Sequence, residues 1–202
     1  MKNVVFEGEK IIPSKVVCIG RNYVEHIEEL GNEIPSDMVV FNKPNSAISN
    51  TLIYINEFTR YEGEICFLIK NKKIEGVGFG LDLTQADIQN RLKQKGLPWE
   101  RAKSFDGSAV LSDFVKLEDS LSTIKMELYI NDILIQFANY DLMIYKPFRM
   151  IQEVESFMSL EDGDIIMSGT PKGVGNYAKN DVFVGKIYAN EQLLLTAKWI
   201  VR

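Results

Sequence analysis

The chain is poor in the residues that usually build metal cages and cross-links. Of its 202 residues, two are cysteine and one is histidine. Cys18 and Cys66 lie inside apolar runs, without CxxC or Cys/His spacing, so no zinc site is expected. Two buried, reduced thiols fit a reducing cytoplasm. Met1–Lys10 is too polar for the apolar core of a signal peptide. No apolar run approaches the length that crosses a bilayer. Positive charge is in deficit: 23 Lys and Arg against 28 Asp and Glu give a net charge of −5. Nucleic-acid binding needs clustered Lys and Arg, so that partner is excluded. The basic stretch Lys70-Asn71-Lys72-Lys73 reads as a solvated turn. Repeats, low-complexity tracts and long linkers are absent, and a single domain over residues 1–202 is expected.

Strand patterns dominate. Short apolar runs at Lys15–Ile19, Val39–Phe41, Ile65–Ile69, Val77–Leu83 and Asp164–Met167 predict strands. Ile124–Ile130 alternates apolar and polar residues, and Ile133–Phe137 returns after Asn131-Asp132 as a hairpin. Val182–Ala189 and Gln192–Val201 add two more strands. Helices are predicted at Tyr23–Leu30, Thr84–Gln94 and Pro147–Leu160, with Asn22/Glu25 and Thr84/Asp87 at capping-box spacing. Many strands with three short helices indicate a β-rich α+β fold, not a doubly wound sheet.

Glu62-Gly63-Glu64 opens the strand that continues as Ile65–Ile69. Strand side chains repeat every second residue, so the two carboxylates share a face. If the strand ending near Asp82 pairs with it, a third acid joins them. Clustered carboxylates repel, and one must hold a proton unless a cation intervenes. Mg²⁺ or Mn²⁺ suits such oxygen donors and leaves about three positions open to water or substrate. On spacing alone, solvated strand-edge acids fit the same pattern.

His26 and Glu29 are three apart on the first predicted helix, hence surface neighbours. His26 borders the apolar stripe of Tyr23, Ile27 and Leu30. The pair reads as a general base with its orienting carboxylate, or as a surface ion pair. Ser168-Gly169-Thr170-Pro171-Lys172-Gly173-Val174-Gly175 follows a strand and lacks the Walker order; it reads as an anion-binding turn or as a plain connection. Lys103 lies among apolar residues and reads as a pocket lysine or a snorkelling one.

Taken in order, Gly20-Arg21-Asn22-Tyr23 with His26 and Glu29, Glu62-Gly63-Glu64, Gly80-Leu81-Asp82-Leu83-Thr84, Gly96-Leu97-Pro98-Trp99 with Ala102-Lys103-Ser104-Phe105, and the Ser168–Gly175 loop resemble the fumarylacetoacetate hydrolase family. The likeness runs from about residue 16 to 202 and is greatest to the short acylpyruvases and oxaloacetate decarboxylases. It implies the mixed β-sandwich roll of that family's C-terminal domain, in a homodimer. It implies Glu62, Glu64 and Asp82 as ligands of Mg²⁺ or Mn²⁺. It implies His26, Glu29 and Lys103 as catalytic residues, with the first helix as a lid. Arg21, Asn22, Gln89, Gly169 and Thr170 fall on substrate-binding positions. The implied reaction is metal-dependent hydrolysis of a C–C bond in a 2,4-dioxo acid, an acylpyruvate or fumarylpyruvate, through a metal-bound pyruvate enolate. Oxaloacetate decarboxylation and hydroxymuconate-type isomerisation are alternatives at the same site, and a non-catalytic 2-oxo-acid or metal-binding module is the alternative of another class. One departure stands out. Relatives often read Thr-Ala-Arg-Asp where this chain reads Thr84-Gln85-Ala86-Asp87, so an arginine that grips a substrate carboxylate is missing. Arg91 and Arg101 are the nearby replacements.

Overall fold

The apolar run after Glu64 is continuous rather than alternating, which fits a strand covered on both faces. A computed structural model describes residues 1–25, 37–118 and 120–202 and bears this out. The strands that organise it are β1 (Lys15–Gly20), β2 (Val39–Pro44), β3 (Thr59–Tyr61), β4 (Gly63–Lys70), β5 (Lys73–Asp82), β6 (Thr84–Gln85) and β7 (Ala109–Leu111). They continue with β8 (Lys125–Ile130), β9 (Ile133–Asn139), β10 (Ile165–Met167), β11 (Gly175–Asn176), β12 (Val182–Ala189) and β13 (Gln192–Ile200). Three helices accompany them: α1 (Ala86–Gln94), α2 (Glu100–Lys103) and α3 (Pro147–Glu155).

The main sheet is mixed, in the order β2-β1-β10-β4-β5-β7, with short strands at Ile48–Ser49 and Val115–Lys116 on its far edge. β10 runs parallel to β1 and antiparallel to β4. A second, antiparallel sheet, β9-β8-β12-β13, lies over one face. Ile65, Phe67, Phe79 and Leu81 meet Met126, Leu128, Phe183 and Trp199 between the sheets. On the opposite face Cys66, Leu68, Val16, Cys18 and Met167 form a smaller core with Phe114. Both cysteines are free and buried. A third, small sheet, β11-β3-β6, borders the end of β4 where Glu62 and Glu64 stand.

Asp164 ties the start of β1 to β10. Its carboxylate accepts from Ser14 N (3.0 Å), Ser14 Oγ (2.7 Å), Lys15 N (3.1 Å) and Glu161 N (2.9 Å), and it pairs with Lys15 Nζ. Burial pushes its pKa up, but these donors, Lys15 foremost, bring it below the usual aspartate value.

The strand expected from Val77 begins sooner, at Lys73, so the turn before it is short. Asn71 and Lys72 alone make it, with φ of 49° and 58°, and Lys73 pairs back onto Lys70. Two positive-φ residues match the strand twist of a type I′ hairpin. The helix expected from Thr84 begins at Ala86 instead. Thr84 and Gln85 pair with Arg60 and Thr59, and the Thr84 hydroxyl bonds Glu62 rather than capping the helix. α2, unpredicted, is a single turn after the Gly96–Trp99 break. α3 ends at Glu155, short of the expected Leu160.

Candidate metal centre

Antiparallel pairing of β4 with β5 brings the three acids together. Gly63 faces Leu81 and Glu64 faces Gly80. Asp82 N donates to Glu62 O at 2.8 Å. One carboxylate oxygen each of Glu62, Glu64 and Asp82 lies within 4.8 Å of the others. Glu64 and Asp82 are buried, while the Glu62 side chain is 15% exposed and opens toward solvent.

Gly63 is there because nothing larger fits. A Cβ on it would stand 2.8 Å from Gln136 Oε1 and 3.1 Å from Leu128 Cδ2. Gln136 itself is buried in β9, on the other sheet. Its amide oxygen accepts Gly63 N (2.9 Å), and its Nε2 donates to Thr170 Oγ1 (2.9 Å) and Pro171 O (3.0 Å). The Thr170 hydroxyl then donates to Gly63 O at 3.0 Å. Gly169, at φ 95°, gives its N–H to Glu64 Oε2 at 2.7 Å. The loop expected to bind an anion thus uses these donors to hold the acidic strand.

Two buried lysines balance the acids in part. Lys103 Nζ lies 2.8 Å from Glu62 Oε2, 2.7 Å from Asp82 Oδ2 and 2.6 Å from Thr84 Oγ1. Thr84 Oγ1 in turn donates a hydrogen bond to Glu62 Oε1 at 2.8 Å. Lys43 Nζ is 2.8 Å from Asp82 Oδ1, off the hydrogen-bonding direction, so that oxygen keeps a free lone pair. Burial alone would raise the Asp82 pKa, but Lys103 and then Lys43 hold it below the usual value. Lys103 is depressed by burial and more than restored by Asp82 and Glu62. Glu64 has no lysine at bonding distance, and burial, then Asp82 and Glu62, push it well above the ordinary range. Three ionised carboxylates would outnumber the two ammonium groups, and the conflict falls on Glu64, which favours its neutral form. A hard dication relieves that conflict, and oxygen donors at this spacing suit Mg²⁺ or Mn²⁺.

Of the other expected residues, His26 and Glu29 lie outside the described residues. Asn22 is buried, and its amide is taken by Tyr145 O (3.2 Å), Ser168 O (2.8 Å) and Tyr145 N (2.6 Å) rather than by a helix cap. Arg21 is partly exposed in left-handed backbone, φ 56°. Gln89 is partly exposed on α1. Lys43 and Gln136 escaped the sequence reading. Their only signal is parity: Lys43 shares a strand face with Val39 and Phe41, and Gln136 with Ala138.

Residues 15–192 match the family model described as fumarylacetoacetate hydrolase C-terminal. The chain is 33% identical over 210 residues to the mitochondrial oxaloacetate tautomerase oaa1 of Schizosaccharomyces pombe, covering 93% of this chain and 95% of that protein. It is 35% identical over 187 residues to the oxaloacetate tautomerase YcgM of Escherichia coli, covering 83% and 85%. A crystal structure from Oleispira antarctica, described as a candidate fumarylacetoacetate isomerase/hydrolase, superposes with a TM-score of 0.92 at 34% identity over 100% of both chains. The chain belongs to the fumarylacetoacetate hydrolase family.

Proposed function

We propose that the chain is a divalent-metal-dependent enzyme of small 2-oxo acids, and that its reaction is keto–enol interconversion of an oxaloacetate-type acid. The observation that carries the reading is the buried Lys103 ammonium, held by Glu62 and Asp82 at the edge of the acidic centre. Enolisation places negative charge on the C2 oxygen, and fixed positive charge in a dry site lowers that barrier most. Glu62, Glu64 and Asp82 would hold Mg²⁺ or Mn²⁺, which supplies Lewis-acid polarisation of the 2-oxo group. Lys103 adds a permanent charge beside it, and Thr84 fixes the Lys103 and Glu62 side chains relative to each other. Gln136, Gly169 and Thr170 keep the two glutamates in place. The oxaloacetate tautomerases among the relatives favour this reaction.

Hydrolysis of a 2,4-dioxo acid is the second reading. It leaves the same pyruvate enolate, but needs an attacking water and a base to activate it. The His26/Glu29 pair is the expected base. Among the described residues no helix is long and apolar enough to cross a membrane.

The test is ultraviolet monitoring of oxaloacetate enol loss with the Mg²⁺-loaded protein, run beside acetylpyruvate cleavage and oxaloacetate decarboxylation. Faster enol loss than in buffer with Mg²⁺ alone supports the tautomerase reading. Acetylpyruvate cleavage that dominates, and that vanishes in His26→Ala, replaces it with hydrolysis. No acceleration of any of the three sinks both.

A further inference from the structure

Two cations border the acidic centre without a carboxylate at ion-pair distance among the described residues. The first is Arg60 in β3, directly opposite Thr84 in β6. Opposed residues of an antiparallel pair share a face, with Cβ atoms about 4.5–5.5 Å apart. Thr84 sends its hydroxyl to Glu62 and receives Lys103 on that face. Arg60 therefore rises from the wall that carries the centre.

The second is Lys93 in α1. Ala86, Gln89 and Lys93 stand at i, i+3 and i+7, on one side of the helix. Lys93 therefore starts from the same helix side as Ala86 and Gln89, nearer the C-terminal end. Lys93 Nζ sits 5.2 Å from the Trp99 ring centroid. Trp99 meets the edge of Phe41 at 5.9 Å, and Phe41 lies 5.1 Å from Lys103 Nζ. Phe41, Trp99 and Lys103 line one cleft of about 530 Å³. Burial lowers the Lys93 pKa, and the positive charges of Arg21 and Lys103 lower it further; Glu62 opposes them, and Arg60 adds a smaller lowering. An ammonium so placed favours an anion beside it. Arg91 and Arg101, the replacements expected for the missing arginine, are exposed and line a different cleft with Lys95 and Leu97.

We infer that Arg60 and Lys93 form a second anion subsite, which takes the far carboxylate of a 2-oxo dicarboxylic acid whose 2-oxo end sits at the acidic centre. The subsite rests on the 2-oxo acid reading above and fills the role that Ala86 leaves open. It makes Lys93 and Arg60 specificity-determining residues rather than catalytic ones.

Calorimetry on the Mg²⁺-loaded protein tests it through binding, with the five-carbon pair as the reading free of oxaloacetate turnover. Oxaloacetate is compared with 2-oxobutanoate, and 2-oxoglutarate with 2-oxopentanoate; each pair differs only in carboxylate against methyl at the far end. Wild type is expected to prefer the diacid at least about tenfold at one chain length, the scale of one charge-assisted contact. Lys93→Met and Arg60→Gln should each cut that preference several-fold while monoacid affinity stays within about twofold; Lys93→Arg should keep it. Equal affinity for diacid and monoacid in wild type overturns the subsite. So does a preference that survives both charge-removing variants, or a loss that strikes monoacid and diacid alike. Because binding is read directly, a protein that binds diacids by this pattern but fails to tautomerise oxaloacetate refutes only the reaction assigned above. Wild type that binds neither acid removes the 2-oxo acid reading and the subsite together.

Discussion

Lys43 donates its ammonium to the main-chain carbonyl of Lys103, one buried lysine holding the backbone of another. The same ammonium stands 2.8 Å from Asp82, and Ser108 Oγ also donates to the Lys103 carbonyl, at 2.8 Å. The end of α2, and with it the catalytic candidate Lys103, is therefore fixed by a charge reaching across from β2.

Lys43→Met keeps the apolar stem and removes that charge. Asp82 is then buried with Lys103 as its one remaining ion-pair partner among the described residues. Breaking a buried pair from one side costs about 3–5 kcal/mol. Urea unfolding of the metal-free variant should show a loss on that scale; a change below about 1 kcal/mol would contradict the role given to Lys43.

Asp82→Ala should cut Mg²⁺ affinity by at least about 100-fold, since even the partners that merely orient metal ligands are worth 10–100-fold. Titration calorimetry on the purified variant reads this directly. Unchanged affinity would remove Asp82 from the ligand set.

Asp164 predicts an acid limb in the stability curve. Its folded pKa lies below its unfolded value, near 3.9, so its contribution is complete above that value. That contribution is lost as pH falls through the lower, folded pKa. Asp164→Asn should be less stable than wild type at pH 7 and lose less on acidification. Denaturant midpoints for both proteins from pH 7 down to pH 3 check it; parallel curves would contradict the assignment.

Gln136 should act on the reaction from outside the site. Gln136→Leu removes both anchors of the Gly63 and Thr170 segments, and a drop of about 10–100-fold in kcat/KM is expected. Gln136→Glu separates positioning from bulk packing. In its neutral form the new acid accepts Gly63 N and donates one O–H; ionised, it opposes the Pro171 carbonyl. The ratio of variant to wild-type activity should therefore rise as pH falls. A flat ratio would argue for a purely structural role.

Much of the centre was legible because strand geometry is local. Period-2 alternation puts Glu62 and Glu64 on one face, and the hairpin between β4 and β5 delivers Asp82 beside Glu62. The β-rich layers also followed from alternation and from the Asn71 and Asn131 turns. What the sequence withheld comes from long-range contact. Gln136 reaches Gly63 over a separation of 73 residues, and Lys43 reaches Lys103 over 60. Nothing near either residue states its partner. Arg60 was hidden for a related reason: Thr84 looked like a helix cap, so its pairing in β6 could not be foreseen. Arg91 and Arg101 were tempting because they are arginines, but the helix turns Arg91 about 140° away from Ala86 and brings Lys93 back to the same side, about two turns further on.

Gln136 belongs to one layer of the sandwich and the glutamates to the other, so the centre doubles as a rivet between the layers. Sliding of one sheet across its neighbour must shift Gly63, and the acids on either side of it, at the same moment. Cation affinity should therefore report on inter-sheet slippage, and changes far out along β9 can register at the centre without touching anything that binds there.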